Sequence, residues 1–165
     1  AFVEGLFPAA RVVRVMPNLP CVVGEAMSVF CLGQRARAAD AETVRALLEC
    51  CGRVEAMEED AFDMVTALSG SGPAFFAHVL SCLIAGATDG GMDRDAAERL
   101  ALQTMLGTAR LLQERGTRPE DLIRAVASPG GTTEAGLNIL RPSSVGNTLK
   151  ATLAAAADRS RELSA

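Results

Sequence analysis

Apolar residues recur at helical spacing almost without a break from Asp60 to the end of the chain. Pro73 opens the strongest such segment, whose apolar residues fall on one wide stripe: Phe75, Phe76, Val79, Leu80, Leu83, Ile84 and Ala87. A stripe of this width is broader than a surface helix needs and is typical of a helix buried between neighbouring helices or chains. Asp93 can cap the next helix, which keeps the 3.6-residue period and stops at Gly116. The pattern therefore predicts an all-helical domain over residues 60–165, with a last helix at about 145–163.

The first 59 residues carry a different pattern, in which short β runs alternate with one helix. The predicted strands cover residues 11–15, 26–32 and 53–57, and the predicted helix covers 43–51 and ends at Gly52. Pro17 and Pro20 end the first strand, because proline cannot donate to a strand ladder. This alternation predicts a small α/β region over residues 1–59. The whole chain is therefore expected to be mainly α.

Composition argues against several classes of protein. The net charge is −4 and there are no basic blocks, so a nucleic-acid partner is not expected. No apolar run reaches ~18 residues without a charge or a glycine, so no membrane span is expected either. The five cysteines are odd in number, and the adjacent Cys50 and Cys51 cannot easily share a relaxed disulfide. Reduced thiols in a cytoplasmic protein are the better interpretation, and with His78 as the single histidine no metal site is expected.

Residues 128–136, Ser-Pro-Gly-Gly-Thr-Thr-Glu-Ala-Gly, place a rigid proline, two adjacent glycines and three hydroxyls directly before a helical pattern. Free backbone N–H groups at a helix start, together with the concavity that a Gly-Gly pair can form, make a site for a carboxylate or a phosphate. Hydroxyls beside that site can also donate a hydrogen bond to a nitrogen on the same ligand. For an isolated motif of this kind, a helix cap preceded by a turn would be the simpler interpretation.

Three further stretches accompany this loop. They are Val-Met-Pro-Asn-Leu-Pro at 15–20, Leu-Ser-Gly-Ser-Gly-Pro-Ala-Phe at 68–75 and Ala-Leu-Gln-Thr-Met-Leu-Gly at 101–107. In this order and at these separations, the four motifs resemble the C-terminal part of the pyrroline-5-carboxylate reductase family, over essentially the whole chain. The resemblance implies an oxidoreductase that reduces 1-pyrroline-5-carboxylate, a cyclic imine, to L-proline with NADPH or NADH. It also implies an intertwined homodimer, or a higher homo-oligomer, built by the helical domain, with residues 1–59 as the remnant of a Rossmann-type sheet.

The same resemblance assigns the substrate site. Thr133 is implied to face the imine nitrogen as the catalytic hydroxyl, and Ser128 to help bind the substrate carboxylate. The implied substrate-binding set is Ser128, Gly130, Gly131, Thr132 and Thr133. Because a threonine is a poor acid, its role would be to orient the iminium or relay a proton. The competing interpretation of Thr133 is an ordinary hydroxyl in the first turn of a helix.

On the cofactor side, the resemblance implies that Met16, Pro17 and Asn18 border the nicotinamide. They follow a predicted strand at its carboxyl end, which is where ligands bind in open α/β sheets. The alternative for Asn18 is that it only fixes the turn before Pro20. At 69–73, close helix packing and capping are favoured over direct contact with a ligand.

A cofactor-binding unit of the expected kind needs a Gly-rich turn, yet no G-x-G-x-x-G follows a strand in this sequence. In the family that unit precedes the matched region, so an N-terminal truncation is expected and the chain alone is expected to be inactive. Two departures from the family pattern are Leu19, where a small hydroxyl residue is usual, and the turn at 141–146.

Two other functions stay open. One is a non-catalytic helical dimerisation module. The other is a related imine or β-hydroxyacid reductase, although such hydroxyacid enzymes use a lysine early in the helical domain. Lys150, the single lysine, comes too late in the sequence for that role.

Overall fold

The computed structural model describes residues 2–164, and their contacts group them into two compact units. One unit contains the residues up to Ala74 together with those from Ala151 onward, and the other is Phe75–Lys150. The division predicted at Glu59 follows a change in secondary structure, whereas this grouping follows contacts. The boundaries of the two predicted domains therefore stay a prediction.

The N-terminal part of the first unit holds a short helix, a three-stranded sheet and one crossover helix, with a 3₁₀ turn (Leu19–Val23) between the first two strands. In chain order these are α1 (Phe2–Leu6), β1 (Val13–Met16), β2 (Ala26–Leu32), α2 (Ala38–Glu49) and β3 (Gly52–Ala56). The sheet order is β1-β2-β3, with β1 antiparallel and β3 parallel to β2. The parallel pair needs a crossover connection, which α2 supplies. The observed strands confirm the small α/β region that the sequence predicted.

The central strand β2 explains where the core of this unit lies. Ala26, Ser28 and Phe30 are buried, and so are Val29 and Cys31, so β2 is covered on both faces. A strand that is covered on both faces has a continuous apolar sequence. The apolar run at 26–32 therefore predicts a strand, and the observed strand has the same bounds.

Helix α2 begins five residues before the predicted start at 43. Its first turn is fixed by Asp40, whose Oδ2 accepts the Arg37 backbone N–H at 2.8 Å. The Asp40 carboxylate also pairs with Arg11 at 2.9 Å. The apolar spacing that predicts this helix begins only at Val44, one turn after the acidic cap. The predicted start is therefore too late.

Beyond β3 the chain is helical. A 3₁₀ turn (Glu59–Ala61), the short helix α3 (Phe62–Val65) and a π-helical turn (Thr66–Gly70) lead into α4 (Gly72–Asp89). They are followed by α5 (Arg94–Arg115), α6 (Pro119–Val126), α7 (Thr132–Leu140) and α8 (Val145–Ser164). Asp93 caps α5 as predicted, because its Oδ1 accepts the Ala96 N–H at 3.0 Å. The mainly helical fold expected from the sequence is therefore confirmed.

The segment Glu59–Asp89 is long and apolar enough to span a membrane by length and composition, with a mean hydropathy of 1.4 over its most apolar window. A single segment of this kind is weak evidence, since the core helix of a soluble protein passes the same test.

The α4 and α5 helices leave much of their apolar surface uncovered. Phe76 and Leu83 of α4 are each 61% exposed, and Leu100 of α5 is 58% exposed. Between the two helices lies an open apolar groove of about 720 Å³. Its lining includes Phe76, Leu80, Leu83, Leu100, Met105 and Leu112. The wide stripe predicted for α4 is thus present, and several of its residues are exposed in the part of the chain that the structure describes.

Candidate functional site

The substrate loop predicted at 128–133 is a tight turn that runs directly into α7. The Gly131 N–H donates to the Ser128 carbonyl at 3.0 Å, which closes a β-turn over Pro129 and Gly130. Gly130 has a φ of 71°, and a turn with proline second and a positive φ third is type II. The Pro-Gly pair therefore sets the direction in which the chain enters α7.

Ser128 and Gly131 fit together across this turn. A Cβ added at Gly131 would lie 2.5 Å from the Ser128 Oγ, so a side chain at this position would displace the hydroxyl. Gly131 is also the residue that precedes the first turn of α7, with an extended backbone. The two adjacent glycines thus have separate tasks, since Gly130 supplies the positive φ and Gly131 accommodates Ser128.

Glu134 closes the loop from the helix side. Its Oε2 accepts the Gly130 N–H at 2.7 Å. The N–H groups of both glycines therefore have acceptors inside the loop. Those of Thr132 and Thr133 lie in the first helical turn, where no carbonyl of the same helix can reach them. These two N–H groups are the donors that the loop offers to an anion, with the macrodipole of α7 behind them.

The five residues of the predicted substrate set thus lie together in one loop and the first turn of one helix. Ser128 and Thr132 are exposed, and Thr133 is half-buried. Their roles toward a ligand stay a prediction. Gly131 belongs to the predicted set, but its N–H is already bonded within the turn and is therefore not a free donor to a carboxylate.

The predicted cofactor-side residues lie at the carboxyl end of β1, in the sheet unit. Met16 is the last residue of the strand, opposite Val29, and Pro17 is exposed. The Asn18 Oδ1 accepts the Met27 N–H at 2.9 Å, and its Nδ2 donates to the Ser69 Oγ at 3.3 Å and carbonyl at 3.4 Å. Both polar atoms of Asn18 are thus bonded within the protein. This supports the interpretation that the Asn18 side chain holds the local backbone in place. Contact of this segment with the nicotinamide stays a prediction.

A charged cluster lies beside the core of the same unit. The Cys31 thiol donates to the Glu59 Oε2 at 2.9 Å, and Arg14 forms an ion pair with Glu59. The Arg14 guanidinium also lies over the Phe62 ring, 4.6 Å from its centroid. Burial, followed by the hydrogen bond to Glu59, raises the pKa of the Cys31 thiol to about 11. The bond from Cys31 and the contact with Arg14 lower the pKa of Glu59. The buried thiol is therefore protonated at neutral pH and is a poor nucleophile.

Glu134 and Ser69 lie in motifs noted in the sequence, but their contacts in these sites are not part of the sequence prediction. Glu134 lies three residues after Gly131, which is the spacing of a capping box, but the N–H that it accepts is that of Gly130, so the capping-box pattern does not predict this contact. Ser69 contacts Asn18 across 51 positions, and no local pattern could have indicated that pair.

Comparison with known proteins shows to which family the chain belongs. The family model described as pyrroline-5-carboxylate reductase dimerisation matches residues 59–163. The chain belongs to the pyrroline-5-carboxylate reductase family. This confirms the resemblance drawn from the four motifs.

Individual relatives agree with that family. The chain is 44% identical over 157 residues to pyrroline-5-carboxylate reductase 3 of Bos taurus, covering 95% of the chain and 51% of the relative. It is 45% identical over 154 residues to pyrroline-5-carboxylate reductase of Arabidopsis thaliana, covering 93% and 56%. The chain therefore spans between about half and three fifths of the length of these curated relatives.

Solved structures give the same result. A pyrroline-5-carboxylate reductase from Coxiella burnetii superposes with a TM-score of 0.93 at 32% identity, covering 98% of this chain and 60% of that one. A Plasmodium falciparum pyrroline carboxylate reductase with NADP bound gives a TM-score of 0.91 at 29% identity, covering 99% and 66%.

Proposed function

We propose that this chain is the substrate-binding and dimerising part of an enzyme that reduces 1-pyrroline-5-carboxylate to L-proline with NADPH or NADH, in proline biosynthesis. The match of residues 59–163 to the dimerisation region of the reductase family carries the proposal. The geometry of the α6–α7 loop supports it, because that loop presents anion donors and hydroxyls side by side.

The loop supplies two of the things that the reaction needs from the protein. The N–H groups of Thr132 and Thr133, with the exposed Ser128 hydroxyl, hold the substrate carboxylate at the start of α7. The half-buried Thr133 hydroxyl orients the imine nitrogen and supports its proton. Glu134 keeps the loop in shape through Gly130, so that these donors are in place before substrate arrives.

A nicotinamide cofactor would supply the hydride. Within this chain its ring would lie against Met16, Pro17 and Asn18, where the exposed Pro17 and Leu19 side chains offer apolar surface at the end of β1. Its phosphates need a Gly-rich turn that these 165 residues do not contain. We therefore expect the chain alone to be inactive, and reduction of the imine with NADPH or NADH by the purified 165-residue chain would contradict this.

The catalytic assignment is tested in the complete reductase, meaning this chain preceded by the dinucleotide-binding unit that the proposal requires. Thr133→Ala should lower kcat, by at most the roughly 100-fold to 1,000-fold that loss of one oxyanion donor causes. Thr133→Ser retains the hydroxyl and should recover most of the activity. Ser128→Ala should act mainly on the KM for the imine, because the carboxylate carries the same charge in the ground and transition states. If Thr133→Ala turns over as fast as wild type, the hydroxyl is only part of a helix start. If wild type reduces no imine, the non-catalytic dimerisation module becomes the better interpretation.

Self-association is the second part of the proposal. The groove between α4 and α5 is lined mainly by apolar residues, and Phe76, Leu83 and Leu100 are more than half exposed there; apolar surface left open in this way marks interfaces. We propose that a second copy covers it in an intertwined homodimer. Light scattering of the chain at micromolar concentration should give at least twice the chain mass, and a monomeric mass would contradict the proposal.

The cysteines support a proposal about the compartment. All five lie in the described residues and are free thiols. We propose a cytoplasmic location, which fractionation of the source cells would test.

A further inference from the structure

The hydrogen-bonded ladder between β1 and β2 ends at Met16, two residues before the polar side chain of Asn18. Four pairs join the strands, from Val13 opposite Leu32 to Met16 opposite Val29. The ladder ends before its next hydrogen-bonding position, which lies one residue beyond Pro17. The same register, continued past Pro17, places Asn18 opposite Met27. The backbone groups of Met27 that a longer β1 would have bonded therefore need other partners.

Two side chains replace the missing ladder. The Met27 N–H donates to the Asn18 Oδ1 at 2.9 Å, and the Met27 carbonyl accepts from the Ser69 Oγ at 3.4 Å. The Asn18 Nδ2 donates to the Ser69 Oγ at 3.3 Å, which closes a ring of three residues. All three are half-buried, so each bond is partly shielded from water. The orientation of Asn18 is thus fixed by Ser69 and by one strand residue.

The next residue of the π-helical turn acts on Met16. A Cβ added at Gly70 would lie 2.5 Å from the Met16 Cε, so the Met16 side chain packs into the space that a glycine leaves. Consecutive residues of one turn, Ser69 and Gly70, therefore hold two of the three residues predicted to border the nicotinamide. A π-helical turn places these two positions differently from a regular α-turn, and such turns occur frequently at functional sites.

We propose that Ser69 and Gly70 are positioning residues, which set the cofactor-facing segment Met16–Pro17–Asn18 without touching the cofactor themselves. The inference rests on the proposed function. It assigns the Leu-Ser-Gly-Ser-Gly-Pro motif a purpose beyond helix packing, since its first serine and glycine tie the start of the long apolar helix to the end of β1.

The test uses the complete reductase, with KM and kcat measured for the reduced cofactor and for the imine. Binding of the reduced cofactor is measured separately by its fluorescence, and exchange of the Met27 amide proton by NMR. Ser69→Ala should raise both the KM and the Kd for the cofactor only about two- to fivefold, because the lost hydrogen bonds, at 3.3 and 3.4 Å, are longer and weaker than ordinary ones. It should also speed Met27 amide exchange, while the KM for the imine stays unchanged. Ser69→Thr retains the hydroxyl and should restore the wild-type values.

Gly70→Ala should raise the cofactor Kd as well, because the new methyl group displaces the Met16 side chain. Ser71→Ala, two residues past Ser69, is the matched control and should leave all of these quantities unchanged. Unchanged cofactor KM and Kd in both Ser69→Ala and Gly70→Ala, in an enzyme that reduces the imine, would overturn the inference and leave the proposed function standing. A wild-type enzyme that binds no cofactor and reduces no imine would instead remove the proposed function, and this inference with it.

Discussion

Removing the Cys31 thiol should make the free energy of unfolding fall less steeply as the pH rises into the alkaline range. Burial and the bond to Glu59 raise the pKa of this thiol to about 11 from its ordinary value of 9.0. Between these two values the unfolded chain has released the proton and the folded chain still holds it. Unfolding therefore becomes more favourable as pH rises through that window. Two pKa units correspond to at most about 3 kcal/mol of unfolding free energy.

The composition of the chain makes this measurable. It has no tyrosine and a single lysine, so thiols are the main side-chain type that changes charge between pH 9 and 11, and four of the five cysteines are shared by wild type and variant. Urea unfolding followed by circular dichroism, at fixed protein concentration with a reductant, would compare wild type with Cys31→Ala from pH 8 to 10.5. The variant keeps the other four cysteines and starts from a lower stability, so the informative quantity is the slope of unfolding free energy against pH. The wild-type slope should be steeper, and equal slopes would refute the assignment.

Two further variants test the core and the loop. Phe62 is 1% exposed, so Phe62→Ala should lower the unfolding free energy by about 3–5 kcal/mol in urea titrations. The same change at Phe7, which is 60% exposed, should cost no more than about 0.5 kcal/mol, and equal losses would contradict the burial argument. Glu134→Gln weakens the acceptor of the Gly130 N–H and should raise the imine KM of the complete reductase about two- to tenfold, with cofactor KM unchanged. An unchanged imine KM would show that the loop keeps its shape without that carboxylate.

Local signals predicted those parts of the fold that local chemistry determines. The bounds of β2 followed from an unbroken apolar run, and the α6–α7 turn followed from a proline and two glycines in sequence. The start of α2 was missed because an acidic cap, and not the apolar period, determines it.

The candidate sites divide in the same way. Ser128 to Thr133 form one continuous loop, so their proximity to one another could be read from the sequence. The ring of Asn18, Met27 and Ser69 joins residues that are 9, 42 and 51 positions apart. It depends on the register of β1 against β2 and on the placement of the π-helical turn. Neither of these follows from composition or period, so the partner of Asn18 became visible only in the folded chain.

Covering of the groove between α4 and α5 by a second copy, as proposed above, would make the stability of the Phe75–Lys150 unit depend on the concentration of the chain. If a second copy covers the groove, its free energy of burial is gained only on association. The unfolding midpoint of the chain then rises with the logarithm of its concentration. A dilute sample of the chain would then unfold at a lower temperature than a concentrated sample of the same chain. A melting temperature would have to be given together with the protein concentration.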